Sequence, residues 1–330
     1  MRMIGHFHPF RFAILCTAAV AIATLPVASP QSSAQGMRPL RIVIPVPPGG
    51  AGDIIGRELG EQISRISGSS VTIENRAGAA TIIGTELVAR ASPDSNTVLL
   101  TAPYFLISPQ LRKVNYDPLT DFVPVCHLVS SPGVFAVNSA SPYQTLTDVI
   151  EAARAKPGTL TFASVGPGSP HHIAFEMLKR AAKMEMTYVP FPGGGPAINA
   201  LLGGHVTLGM AEYAPLSAHL EAGTLRALAT SAKRRVGQLP DVPTVAELGY
   251  PDYEVDMWWS VFAPAKTSPM ELSQLSRWFG EALQSPELKA RFAMQGFSPV
   301  GRCGADFASI LQKQYEDYGR IVREAHLAIE

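Results

Sequence analysis

Three times along this chain a short apolar run gives way to a glycine-rich loop and then to a helically spaced segment. The first run is 41–44 (RIVI), where β-branched residues predict a buried strand. It leads into Pro48, Gly49, Gly50, Ala51, Gly52 and Asp53, after which Ile54, Ile55, Leu59 and Ile63 recur at helical spacing. The second instance is a strand at 160–163, then Gly166, Pro167, Gly168, Ser169, Pro170 and His171, then a helix over 172–182. The third is a strand at 188–190, then Pro192, Gly193, Gly194, Gly195 and Pro196, then a helix over 197–202. Further strands are predicted at 71–73, 98–100 and 206–210. Further helices are predicted at 82–91, 148–155, 269–284, 287–294 and 306–326. Such alternation implies parallel strands joined by crossover helices, the α/β class.

In sheets of that class a ligand sits at the carboxyl ends of strands, against helix N-termini. The free N–H groups and positive dipole end there favour an anion. Glycine lets the backbone come close, and Pro170 and Pro196 suit a first helical turn. Ser169 and His172 add side-chain donors to the second loop.

Composition narrows the alternatives. Basic and acidic side chains number 27 each, so no basic field exists to draw in nucleic acid, and no nucleic-acid partner is expected. Catalytic motifs are missing: Ser169 lies in Gly-Pro-Gly-Ser-Pro, not in a nucleophile elbow, and there is neither H-E-x-x-H nor Walker A. His171 and His172 are adjacent, so a helix cannot aim both at one metal. Cys126 and His127 are neighbours in a strand-like run and point to opposite faces. The loop at Gly166 begins like a dinucleotide fingerprint, with Glu185 downstream, but His171 stands in place of the third glycine. No cofactor and no metal are expected.

The N-terminus reads as a secretory signal over 1–34. Arg2, His6, His8 and Arg11 precede an apolar run at 12–27, and Ser32, Ser33 and Ala34 form a small-residue cleavage site. The other reading of the run is a membrane anchor, for which it is short. Removing Arg2 and Arg11 from the 27 basic residues leaves 25 against 27 acidic ones. Cys16 would leave with the signal, so Cys126 and Cys303 remain, either as one bridge or as two free thiols.

The mature chain, from Arg38 onward, resembles the Bug-type binding proteins of tripartite tricarboxylate transporters. The resemblance rests on Pro48, Gly49, Gly50 and Asp53; on Asn75, Arg76, Ala77, Gly78 with Ile83 and Gly84; and on Tyr116, Asp117, Pro118 with Asp121 to Val125. It continues through Lys156, Pro157, Gly158, then Gly166, Gly168, Ser169 and His172, then Val189, Pro190, Gly194, Leu201 and Gly204, and ends at Leu239 to Thr244. It implies a type II periplasmic-binding fold of two Rossmann-like lobes around a cleft. Lobe one would be 38–137 plus 258–330, and lobe two 138–257, with crossings near Val137 and Met257. It also implies a monomer in the periplasm, an organic carboxylate as ligand, and delivery to membrane permease subunits. A receptor presenting ligand to a sensor kinase is the related alternative, and a secreted hydrolase using Ser169 and His172 the one of another class.

The residue roles implied are these. Gly49 and Gly50 would offer backbone donors from lobe one, and Gly166, Gly168, Ser169 and Gly194 would meet the ligand from lobe two. His172 would donate directly or pack on its loop. Asp53 would cap its helix or reach the ligand through water, and Thr101 would donate a hydroxyl or pack at a strand end. The sequence departs from the family at Val46, where an aromatic residue is usual, at Pro167, and at Ala211, where an acid is usual and Glu212 follows instead. Glu212 would receive a ligand cation, organise water or be solvated. Tyr104 and Phe105 would replace the lost aromatic surface or belong to the core, and Trp258 and Trp259 would pack a crossing.

Overall fold

A computed structural model describes residues 39–327 apart from 95 and 305, so the expected signal at 1–34 lies outside the described residues. Eleven strands form two sheets among the described residues. The first holds β1 (Leu40–Ile44), β2 (Val71–Asn75), β3 (Thr97–Thr101), β4 (Phe122–Ser130), β10 (Trp259–Pro264) and β11 (Ser298–Cys303), ordered β11-β4-β10-β3-β1-β2. The second holds β5 (Gly133–Asn138), β6 (Thr161–Val165), β7 (Thr187–Phe191), β8 (Leu208–Glu212) and β9 (Leu225–Thr230), ordered β7-β6-β8-β5-β9.

The central strands of both sheets are buried on both faces, which is why they read as continuous apolar runs. In β1, Leu40, Ile42 and Ile44 enter one core cluster while Val43 enters the cluster on the opposite face. In β5, Phe135 and Val137 face one way and Val134 and Ala136 the other. Helices cover these faces. Helix α1 (Ala51–Ser67) buries Ile55, Leu59 and Ile63, four residues apart, and stops where Gly68 turns left-handed. Capping boxes start α4 (Leu146–Ala155), with Thr145 and Asp148, and α8 (Pro269–Gln284), with Ser268 and Glu271.

The expected alternation accounts for only part of the sheets. Strands β1, β2 and β3 are mutually parallel, as are β6, β7 and β8, each joined through a helix. By contrast β10 runs antiparallel to β3 and β4, β11 antiparallel to β4, and β5 antiparallel to β8 and β9. Of these, β5 is the strand by which the chain enters the second sheet and β10 the one by which it returns to the first. β4 leads almost directly into β5, so β5 enters the second sheet end-on rather than through a helical crossover. Since β5 pairs in the second sheet, sheet membership puts the first crossing at Ser131 and Pro132, ahead of Val137. The second crossing passes Asp256, whose Oδ1 accepts from Ser130 Oγ at 2.7 Å and from the Ser131 N–H at 3.1 Å. Asp256 therefore ties one crossing segment to the other.

Cys126 and Cys303, a register pair of β4 and β11, form a disulfide. Of the two cysteine states left open by the sequence, the structure has the bridge. At the start of α2 (Ile82–Ala89), Ala79, Ala80 and Thr81 take φ of 47°, 52° and 77°. A left-handed run of non-glycine residues costs about 1–2 kcal/mol per residue. A Ser108 Oγ bond to the Ala80 carbonyl at 3.1 Å helps hold it.

Candidate functional site

The first glycine loop is closed by its own aspartate. Asp53, in the first turn of α1, accepts the Gly49 N–H on Oδ2 at 3.0 Å and pairs with Arg57 through Oδ1, also at 3.0 Å. Burial alone would raise this carboxyl, but the bonds from Arg57 and Gly49 outweigh it and hold the group below its usual range. Helix α1 is capped by Gly50 without any side-chain bond, so Asp53 staples the loop instead of capping. The Gly49 N–H is thereby spent inside the loop. The N–H groups of Gly50, Ala51 and Gly52 have no partner among the described residues.

The second loop is closed in the same way by an imidazole. His172 Nδ1 accepts the Gly168 N–H at 3.0 Å, and the ring stacks on Tyr188 with centroids 3.9 Å apart. Burial, with a smaller contribution from Lys179, lowers His172 to about 4, so the ring is neutral near pH 7. Ser169 caps α5 (Pro170–Ala182), its Oγ accepting the His172 backbone N–H at 3.1 Å. The His172 ring packs on its own loop, and the Gly168 N–H is spent inside that loop. Gly166 donates its N–H to Phe191 at 2.9 Å, which joins the second loop to the third. There Gly194 begins α6 (Gly194–Leu202) beside open space.

The second loop and its helix meet the first sheet's layer at a seam between the sheets. Gly168, at φ +74°, lies so close to Leu111, at the end of α3 (Tyr104–Leu111), that a Cβ there would overlap the leucine Cδ1. Ile173 of α5 belongs to the first sheet's core with Phe307 and Leu311, and Ala214 of α7 (Tyr213–Glu221) packs on that sheet's other face.

Glu212 lies at this seam, at the start of α7. Its Oε2 is 3.2 Å from His171 Nε2, and its side chain is 13% exposed. Burial would raise this carboxyl, but attraction to His171 and the bond from it win, and it is held low. Glu212 in turn adds to the burial that raises the Tyr104 phenol across the seam. Tyr104 is half-buried there, whereas Phe105 is core. Val46 packs on the first core, and its carbonyl accepts from Asn75 at 3.2 Å.

Several buried polar atoms have no partner among the described residues: Thr101 Oγ1, Thr81 Oγ1, Ser260 Oγ, Trp259 Nε1 and His171 Nδ1. Thr101 and Ser260 are register partners at the carboxyl edge of β3, and the outer edge of the Trp259 ring lies against Gly52. Trp258 instead donates to Gln314 at 2.7 Å. Sequence reasoning named Thr101 but missed Thr81, Ser260 and the pairing of His171 with Glu212. No local pattern marks these, since residues 41 apart meet only through the sheet.

Residues 55–327 match the model of the tripartite tricarboxylate transporter family receptor. The chain belongs to that family. It is 33% identical to the protein BugT of Bordetella pertussis over 94% of this chain and 97% of that one. Among solved structures it resembles R. palustris Rpa4515 with adipate, at 29% identity and a TM-score of 0.83, covering 89% of this chain and 99% of that one. It also resembles MatC of Rhodopseudomonas palustris with bound malate, at 27% identity and a TM-score of 0.79, covering 87% and 99%. The two-lobed periplasmic-binding fold that the sequence suggested is the fold of this receptor.

Proposed function

We propose that this receptor captures a small organic carboxylate in the periplasm by closing its two lobes on it, and passes it to membrane permease subunits. The observation that carries the reading is the pair of stapled glycine loops, one following a strand of each sheet. Each ends at a helix start, each is stapled by a side chain of its own helix, and the first leaves three consecutive N–H groups unpaired. Such a site binds an anion through fixed dipoles, without a basic side chain. Gly50, Ser169, Gly194 and Thr101 are the ligand-facing residues in this reading, with Val46, Gly49, Asp53, Gly166, Gly168 and His172 shaping the walls. The relatives with adipate and malate support the ligand class. Closure follows from a ligand that contacts both lobes and so favours the closed state.

The reading is of a binder and not of an enzyme. Ser169 and His172 are joined through the histidine's backbone N–H, and the imidazole Nδ1 is spent on Gly168. No hydroxyl-to-imidazole bond activates the serine. A thermal-shift screen of small acids and neutral controls tests this. Ligand at 100 times its Kd should add about 2.7 kcal/mol. Stabilisation by a subset of carboxylates without product supports the proposal. Turnover of the ligand that Ser169→Ala abolishes, or no response to any acid, sinks it.

A further inference from the structure

We propose that the first sheet holds a line of ordered water beneath the C-terminal helix, Asp306–Glu324, bound by Thr101, Ser260 and His127. This line stands beside carboxylate capture and does not depend on it.

The strand register builds the row. Ser260 of β10 lies opposite Thr101 of β3 on one side and opposite His127 of β4 on the other. Arg302 of β11 lies opposite His127 in turn. Register partners stand about 5 Å apart at Cβ, so neighbouring strands set these polar residues in a line across the sheet. They share a face. On β3, Leu100 enters one core cluster and Leu99 the other; on β10, Val261 enters the first and Phe262 the second. Alternation puts Thr101 with Leu99 and Ser260 with Phe262. The His127 ring is on that face too, with the Phe307 ring of the C-terminal helix 5.0 Å away and the Trp258 ring 6.3 Å away.

The row is laid through an apolar layer, and its polar atoms are not met there. Thr101 and Ser260 are buried, and His127 is 9% exposed. Thr101 Oγ1, Ser260 Oγ and both His127 ring nitrogens make no hydrogen bond among the described residues. The Val129 carbonyl favours a proton on the His127 ring from outside hydrogen-bond range. It can serve one ring nitrogen, and a neutral imidazole has an acceptor nitrogen besides. Native interiors leave few such atoms unmet. Neighbouring side chains that share one deficit fit water, which donates, accepts and takes several partners at once. The row has no carboxylate to hold a cation. Its one full charge, Arg302, is exposed on the edge strand, so bulk water lies at the outer end of the line. At the inner end a hydroxyl donates one bond and accepts two, so water on Thr101 leaves it free to meet a ligand.

A high-resolution crystal structure of the purified protein and the melting of two variants test this. The structure should show ordered water within hydrogen-bond range of Ser260 Oγ and of a His127 ring nitrogen. Ser260→Ala then strands the other partners of that water, and the melting midpoint should fall by about 2–6 °C. Thr101→Val keeps the shape of the side chain, so a similar fall there cannot be laid to packing. Were the row dry, each change would remove an unmet hydroxyl and leave the midpoint level or higher. Direct bonds among Thr101, Ser260 and His127 in the crystal, or an ion in place of water, overturn the proposal. So does a midpoint that holds or rises in either variant.

Discussion

The loops at Gly49 and Gly168 solve one problem with different chemistry. In each, the N–H of a left-handed glycine is taken by a side chain four residues on, in the first turn of the following helix. In the first loop the acceptor is a carboxylate, Asp53, matched by the exposed Arg57, and Gly49 itself faces open space. In the second it is a neutral imidazole, His172, sandwiched against Tyr188, and Gly168 is wedged on Leu111. An ionic staple tolerates water and acid down to the carboxylate range. A desolvated imidazole keeps the loop free of net charge but fails once it protonates. The same backbone device is thus robust in one lobe and conditional in the other.

The largest expected effect separates the two glycines. Gly168→Ala adds left-handed strain of about 1–2 kcal/mol to an overlap with Leu111 costing a further 1–3 kcal/mol. It should lower stability by about 2–5 kcal/mol in chemical denaturation and weaken ligand binding. Gly49→Ala meets no atom within 4 Å and should cost only about 1–2 kcal/mol. Equal losses at the two positions would break the comparison.

Acid is the next lever. His172 has its folded value lowered from 6.5 to about 4. The stability it contributes is therefore complete above pH 6.5 and lost as pH falls toward 4, up to roughly 3 kcal/mol. His127 in the first lobe is also lowered to about 4, chiefly by burial, so it adds a comparable loss. His172→Asn, whose side-chain oxygen can accept the Gly168 N–H without titrating, should remove about half of the acid sensitivity in melts at pH 4 to 7. An unchanged pH profile would mean that the imidazole is not the staple.

Between the lobes the sign reverses. Burial raises Asp256 from 3.8 to about 6, despite its bonds to Ser130 and Ser131. Stability from this group is complete below pH 3.8 and lost as pH rises through 6. Asp256→Asn, which keeps an acceptor for both bonds, should raise stability by about 1–3 kcal/mol at pH 8 and by nothing at pH 4. A loss at pH 8 would show that the charge itself ties the crossing segments. The smallest effect belongs to Asp53→Asn: the Gly49 bond survives, the pair with a well-exposed arginine is lost, and the melting midpoint at pH 7 should fall by about 2–4 °C. That fall should shrink in acid, once Asp53 is protonated in the folded state as well; a fall that persists there would show that Asp53 acts through packing and not through charge.

How legible the molecule was depends on the distance between interacting residues. The helix at α1 follows from Ile55, Leu59 and Ile63, and the glycine loops from composition alone. The staples were half visible: Asp53 and His172 were candidates, but which donor each would take was not. The pairing of His171 with Glu212 and the orphaned Ser260 and Trp259 had no local signal. Strand direction also escaped, because β5 reads like any other buried strand.

The sequence by itself determined the α/β class, the three glycine-rich loops and the family, because strand period, helix period and turn chemistry are short-range properties carried by consecutive residues. Only the tertiary structure decided which loop N–H groups remain for a ligand, that Cys126 and Cys303 are bonded, and that a carboxylate without a lysine or arginine partner sits on the seam. Those outcomes depend on desolvation and on contacts between residues far apart in the chain, and both exist only once the two sheets have packed.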